Sequence, residues 1–241
     1  YDPPVLAPLP ALAKLRRLGV LFHRTLFRAL QFPTRFWCTP VHQLRRELGL
    51  SPVSDPIFAG RHSSQLVLAL FSPLIGQPEP DWPAQTLVTG FPFYDEYGSS
   101  LPPELLQFLA DGESPIIFTL GSSVVRDAGN FYAESVAAVR KLGKRAVLLV
   151  GHEPLNHPPD LSKKNVIAIP YAPYAQIFPH ASAIVHQGGI GTTGQALRAG
   201  KPMLVVPYGG DQLDNGARVE HLGVGRCTRR NQYQADRVAV E

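Results

Sequence analysis

Residues 184–194 read Ile-Val-His-Gln-Gly-Gly-Ile-Gly-Thr-Thr-Gly: an apolar strand enters a glycine-rich turn, and the turn opens a helix. A helix start carries free N–H groups and the positive end of the backbone dipole, a combination that attracts phosphate. Gly188, Gly189 and Gly191 let the backbone approach an anion where a Cβ would block it. Thr192 and Thr193 can add hydroxyl donors, and His186 can donate from the strand end. A tight strand-to-helix connection also uses glycine for steric reasons alone, and a histidine there is often a satisfied core residue. Here glycines, two threonines and a histidine converge on one turn, which favours the anion site.

The same turn fits the dinucleotide fingerprint Gly-x-Gly-x-x-Gly as Gly189, Gly191 and Gly194, with Asp211 near the offset of the expected acidic residue. An NAD(P)-dependent oxidoreductase is therefore an alternative. His186 ahead of the turn and Gln212 after the acid weigh against it. A non-catalytic binding module is the other alternative.

A second segment, Pro207-Tyr208-Gly209-Gly210-Asp211-Gln212-Leu213-Asp214-Asn215, follows the next strand. Adjacent strand ends of a parallel sheet line one crevice. There the Asp211 carboxylate and the Gln212 amide suit a polyhydroxylated ring. Asp214 reads as a helix cap. Gly121-Ser122-Ser123 can bring further donors to a phosphate. In Tyr171-Ala172-Pro173-Tyr174 an aromatic ring can stack on a nucleobase, although core packing is the default for either tyrosine.

Strands and helices must position these groups. Strands are expected at 116–120, 145–150, 166–170, 183–185 and 203–206, and helices at 131–142, 192–199 and 215–222. A helical turn is expected at 174–178. That alternation means a parallel sheet covered on both faces. Earlier in the chain, residues 11–31 form an amphipathic helix with Leu15, Leu18, Phe22 and Leu26 at helical spacing and Lys14, Arg17, Arg24 and Arg28 elsewhere. Its favoured reading is a surface helix packed on a core by that stripe; contact with an anionic membrane surface is the other. A second helix runs from Thr39-Pro40 to Gly49, and short strands are expected at 65–71 and 86–90.

The 241 residues suffice for one large or two small domains. An apolar share of 44% with 17% charged residues describes a globular chain and not a disordered one. A net charge of +4 is too modest to imply nucleic acid. Two cysteines, Cys38 and Cys227, make no disulfide framework, which points to the reducing cytoplasm. No signal peptide or apolar span appears. The chain opens on Tyr1 and its only methionine is Met203, so a piece of a longer protein is expected.

Tyr171-Ala172-Pro173-Tyr174, His186-Gln187-Gly188-Gly189-Ile190-Gly191-Thr192-Thr193, Ala199-Gly200-Lys201-Pro202 and Asp211-Gln212-Leu213-Asp214-Asn215, in this order, resemble the donor-binding signature of family 1 GT-B glycosyltransferases. The likeness is to bacterial sterol glucosyltransferase-like and rhamnosyltransferase-like members, and residues 68–92 resemble their approach to the interdomain linker. The resemblance implies an α/β GT-B fold, a Rossmann-like parallel sheet flanked by helices with a partial N-terminal Rossmann-like domain. Residues 1–90 would be the second half of the acceptor domain, 91–103 the linker, and 104–241 a donor domain incomplete at its end. It implies an inverting transfer of a hexose from a UDP- or dTDP-sugar to a hydroxyl of a lipid-like or other small acceptor. The nucleotide sugar would be a co-substrate, with no metal and no other cofactor.

By the same resemblance Ser122, Ser123, His186, Gly188, Gly189, Gly191, Thr192 and Thr193 would hold the diphosphate. Asp211 and Gln212 would hold the sugar, and Tyr171 and Pro173 the base. Gly194 and Gln195 stand where plant-type relatives carry a ribose-binding glutamate. The histidine base and its orienting aspartate belong to a segment before this chain begins, so none of its residues is assigned as catalytic. A fragment that is itself inactive in transfer is expected, and the basic helix at 11–31 adds the expectation of peripheral membrane contact.

Overall fold

The computed structural model describes residues 18–53, 55–58, 62–95, 100–122, 124–159, 161 and 164–241. The chain divides into two compact units whose described parts are 18–90 and 91–241. Ser123, and Lys14, Leu15 and Arg17 of the expected first helix, lie outside the described residues.

In the first unit α1 (Gly19–Gln31) runs through a 3-10 turn, Pro33–Cys38, into α2 (Thr39–Glu47). Pro33 stops the first helix, and Pro40 sits in the first turn of the second, where a missing N–H costs nothing. Two three-residue strands, β1 (Val67–Ala69) and β2 (Thr86–Val88), pair in parallel with Val67 opposite Thr86. The stripe expected to pack inward is corrected. Leu18 and Phe22 are exposed, while His23 is buried and Leu26, Phe27 and Leu30 are half-buried. A stripe of His23, Leu26, Phe27 and Leu30 therefore faces the unit.

The second unit is a six-stranded parallel sheet. Its strands are β3 (Ile116–Thr119), β4 (Ala146–Leu149), β5 (Val166–Ile169), β6 (Ala183–His186), β7 (Met203–Val205) and β8 (Gly225–Cys227), in the order β5-β4-β3-β6-β7-β8. Register is fixed by Phe118 opposite Leu148 and Val185, and by Val185 opposite Leu204. The strands are near-continuous apolar runs because helices cover both faces. Phe118, Leu148, Val185 and Val206 pack on α4 (Phe131–Leu142) and α8 (Ala235–Val238). Ile117, Val147, Ile184 and Val205 pack on α3 (Pro103–Ala110), α5 (Tyr174–Ile177), α6 (Ile190–Arg198) and α7 (Gln212–His221). Gly143, at φ +60°, closes α4 while the Lys144 N–H returns to the Val139 carbonyl.

Three elements had no clear signal in the sequence: α3, β8 and α8. Residues 91–95 are held on α6: Arg198 grips both carboxylate oxygens of Asp95 at 2.5 and 3.0 Å and lies over the Phe93 ring. Helices α6 and α7 begin at Ile190 and Gln212, one turn or less ahead of the expected starts.

Candidate functional site

Sequential strands β3 to β5 build out one side of the sheet and β6 to β8 the other, so the order reverses between β3 and β6. The crevice beyond the carboxyl ends of strands at such a reversal is where open α/β sheets take ligands. The sequence puts Gly121-Ser122 after β3 and His186 through Gly191 after β6, at that crevice. Ser122 is exposed there.

The turn after β6 has a demanding geometry. Gly188 adopts φ +90°, and a Cβ on it would lie 2.6 Å from Val205 Cγ1 and 2.9 Å from the Gln212 carbonyl oxygen. Gly189 is the N-cap of α6 and supplies no capping side chain, so amides of the first turn stay available. Gly191 is exposed, with open space where a Cβ would stand. Gly194 packs against the Phe91 ring, a tight helix-to-segment contact and not a ligand contact. Of the two threonines, Thr193 is buried and its hydroxyl donates to the Gly189 carbonyl at 3.0 Å. Thr192 is also buried, and the nearby Tyr174 hydroxyl pairs with that of Thr119 at 2.9 Å. The expectation of a free hydroxyl donor is corrected for Thr193, whose side chain braces the turn.

His186 is fully buried. Its Nδ1 accepts the Gly188 N–H at 3.0 Å, which assigns the ring proton to Nε2. Nε2 is buried with no hydrogen-bond partner among the described residues. Desolvation pushes the ring's pKa down to about 4, so at neutral pH it is an uncharged N–H donor awaiting an acceptor. Beside it, the Gln187 side chain reaches across the seam to Gly121, where it occupies the space of a Cβ, and its Oε1 is also buried without a partner among the described residues. Gln187 was not singled out from the sequence; its place next to His186 was the available signal.

The loop after β7 is tied to this turn. Asn215 Nδ2 donates to the Gly188 carbonyl and to Asp211 Oδ2, both at 2.9 Å. Gln212 is buried, and its Oε1 receives the Tyr208 and Gly209 N–H groups at 2.8 and 3.2 Å. Asp211 is exposed at the N-cap of α7 without capping it. Asp214, expected as the cap, instead pairs with Arg218 at 2.9 Å along α7, which corrects that reading. Arg230 clasps the loop from outside: it binds Asp127 at 2.8 and 3.2 Å and lies 4.3 Å over the Tyr208 ring, while Tyr208 Oη donates to the Ala128 carbonyl. Asn215, Tyr208 and Arg230 are the residues here that sequence reasoning passed over. Only Asn215 left a trace, four residues after Asp211.

At the end of β5, Tyr171 is 54% exposed. Pro173 is buried and starts α5, and Tyr174 stacks on Phe178 at 4.5 Å. Tyr171 is thus the exposed ring of this segment. Among the described residues no three His, Cys, Asp or Glu side chains converge on a point that could hold a metal ion.

A parallel sheet whose strand order reverses beside a glycine-rich turn is also the architecture of the solved proteins that this chain is similar to. Residues 136–241 match the model of the family described as Erythromycin biosynthesis protein CIII-like, C-terminal domain. The chain is 36% identical over 185 residues to the O-mycaminosyltylonolide 6-deoxyallosyltransferase of Streptomyces fradiae, covering 76% of this chain and 42% of that protein. It is 36% identical over 211 residues to the sterol 3-beta-glucosyltransferase of Leptosphaeria maculans, covering 81% and 14%. The chain thus spans less than half the length of these relatives. Among solved structures, the calicheamicin glycosyltransferase CalG4 superposes with a TM-score of 0.63 at 19% identity, over 92% of this chain and 54% of that one. The glycosyltransferase VinC, solved in complex with dTDP, gives 0.56 at 26%, over 73% and 42%. The fold is that of GT-B glycosyltransferases and the relatives are glycosyltransferases, so the oxidoreductase reading of Gly189, Gly191 and Gly194 is set aside.

Proposed function

We propose that this chain carries the donor site of an inverting glycosyltransferase that moves a hexose from a UDP- or dTDP-sugar to a hydroxyl of a lipid-like or other small acceptor. One observation carries the reading: the buried Nε2–H of His186, without a partner among the described residues, beside the open backbone amides that begin α6. In the reaction the acceptor oxygen bonds to the anomeric carbon while the bond to the diphosphate oxygen breaks. The acceptor proton passes to a base, and the diphosphate leaves with its added charge. Fixed donors aimed at that charge lower the barrier. His186, the amides at Gly189 through Gly191 and Ser122 would supply them, with Ser123 joining from outside the described residues. Asp211 would accept from sugar hydroxyls, Gln212 would present its Nε2 to them, and Tyr171 would cover the base. The relatives' printed names, a deoxyallosyl- and a glucosyltransferase, and the dTDP bound to VinC support this class of donor.

Calorimetry with UDP, dTDP, the bare nucleosides and NADH tests it. His186→Ala should weaken nucleoside diphosphate binding by roughly 1–3 kcal/mol, the scale of a hydrogen bond to a charged group, and leave nucleoside binding nearly unchanged. Equal weakening of both, or tight NADH binding with no response to either diphosphate, would overturn the reading.

Asp211 gives a separate expectation. Asp211→Asn keeps an acceptor for Asn215 but removes the charge. It should lower affinity for the intact nucleotide sugar while sparing the free diphosphate, as paired titrations would show.

A further inference from the structure

Gln187 follows β6 directly and is 3% exposed, yet its Oε1 has no hydrogen-bond partner among the described residues. Burying a carboxamide in this way costs free energy, and an apolar side chain of the same length would fill the space more cheaply. The acceptor end of the amide makes no bond, so its use lies at the other end. Two glycines show where that end is. A Cβ on Gly121 would collide with Gln187 Nε2, and a Cβ on Gly189 would lie 2.8 Å from the same atom. The NH2 group is therefore set between two stretches of backbone, one just after β3 and one at the N-cap of α6. Both belong to the crevice at the strand reversal, where Ser122 is exposed next to Gly121. A side chain at 121 or 189 would take the place of the amide, so glycine at both positions makes room for it. All of these residues lie in the second unit.

Given the donor-site reading above, on which this rests, we propose that Gln187 is a further diphosphate-binding residue. Its Nε2–H donates to a phosphate oxygen that lies between the Gly121-Ser122 loop and the first turn of α6. The amide is a neutral donor held in place before the ligand arrives, as preorganised dipoles in an anion site must be. It joins the backbone of the two loops through one ligand, because its NH2 group borders both of them. The cost of burying the amide falls on the protein with or without ligand, whereas the bond from Nε2 forms only with ligand bound. Loss of the amide should therefore separate stability from affinity.

Gln187→Met keeps the length of the side chain and removes both polar ends. The urea midpoint of the second unit should stay equal or rise, while affinity for UDP and dTDP falls roughly tenfold, the scale of one hydrogen bond to a charged group. Uridine and thymidine should bind as they do to the wild type. An amide kept for structure alone predicts instead that stability and affinity fall together. Gly121→Ala is a second route to the same loss, because its methyl takes the place of the NH2 group. It should lower diphosphate affinity by a similar factor, and the losses in the double variant should not add. In nitrogen-15-labelled protein the Gln187 side-chain NH2 signals, identified by their absence from Gln187→Met, should move downfield with UDP or dTDP and stay in place with the nucleosides. A wild type that binds neither diphosphate overturns this proposal and the donor-site reading together. A wild type that binds them, with equal affinity in Gln187→Met or with NH2 signals that bound diphosphate leaves unmoved, overturns this proposal alone.

Discussion

Replacing Gly188 with alanine is expected to unfold the second unit at much lower urea and to abolish nucleotide binding. At φ +90° a side chain is strained, at a cost of about 1–3 kcal/mol. The new methyl would also press on Val205 Cγ1 and the Gln212 carbonyl, and overpacking of that kind costs about 1–3 kcal/mol more. The Gln212 carbonyl belongs to the backbone of α7, so it cannot swing aside. The strain would pass to the Asn215 bond that ties the two loops. Gly191→Ala is the control within the same turn. It meets open space at a helical position, so urea stability should stay equal or rise, by up to about 1 kcal/mol. Nucleoside diphosphate affinity should nevertheless fall, because the added methyl stands where the phosphate would approach. Unchanged affinity in Gly191→Ala would place the phosphate elsewhere.

Acid should destabilise the second unit through His186. The folded ring has its pKa pushed to about 4 by burial, against 6.5 in the unfolded chain. Between those values the unfolded state binds the proton and the folded state does not, so stability is complete above pH 6.5 and falls as pH drops toward 4. The full window is worth on the order of 3 kcal/mol. Urea unfolding across pH 4–7 reads the slope. His186→Leu removes this contribution, so its stability should vary less over that window even if its absolute value is lower. A diphosphate on Nε2 favours the charged ring, so saturating ligand should shrink the acid loss. An identical slope in wild type and His186→Leu would show that the ring is not neutral because of burial.

The parallel sheet was legible because strands buried on both faces spell themselves as apolar runs, as in 116–119 and 146–149. The turn at 186–194 was legible because glycine and histidine are scarce in such runs. Other features left weaker marks for physical reasons. β8, Gly225–Cys227, is an edge strand of three residues with alternating exposure and shows no run at all. α3 hides behind Pro102 and Pro103, which read as linker although proline is favoured in a helix's first turn. The work of Thr193 and Asp214 was misjudged because a hydroxyl or carboxylate near a helix start serves a ligand, a cap or its own helix equally well in sequence. Only the bonds to the Gly189 carbonyl and to Arg218 decide. The inward stripe of α1 was misjudged because a helical periodicity fits Leu18, Phe22 and Leu26 as well as His23, Leu26, Phe27 and Leu30.

The reversal of strand order has a consequence for how the protein is made. Most neighbours in the sheet are short excursions along the chain, such as Ala146 with Val166 or Ile184 with Met203. The β3–β6 seam joins Ile116 to Ala183, the longest closure in the sheet, and long closures are the slow ones. On a ribosome β3, β4 and β5 can associate well before β6 emerges, and β6 must then be received on the free side of β3. The turn carrying His186 is completed only when that seam shuts. A chain stalled before that closure would hold an open β3 edge, a template for mispairing that a chaperone would have to cover.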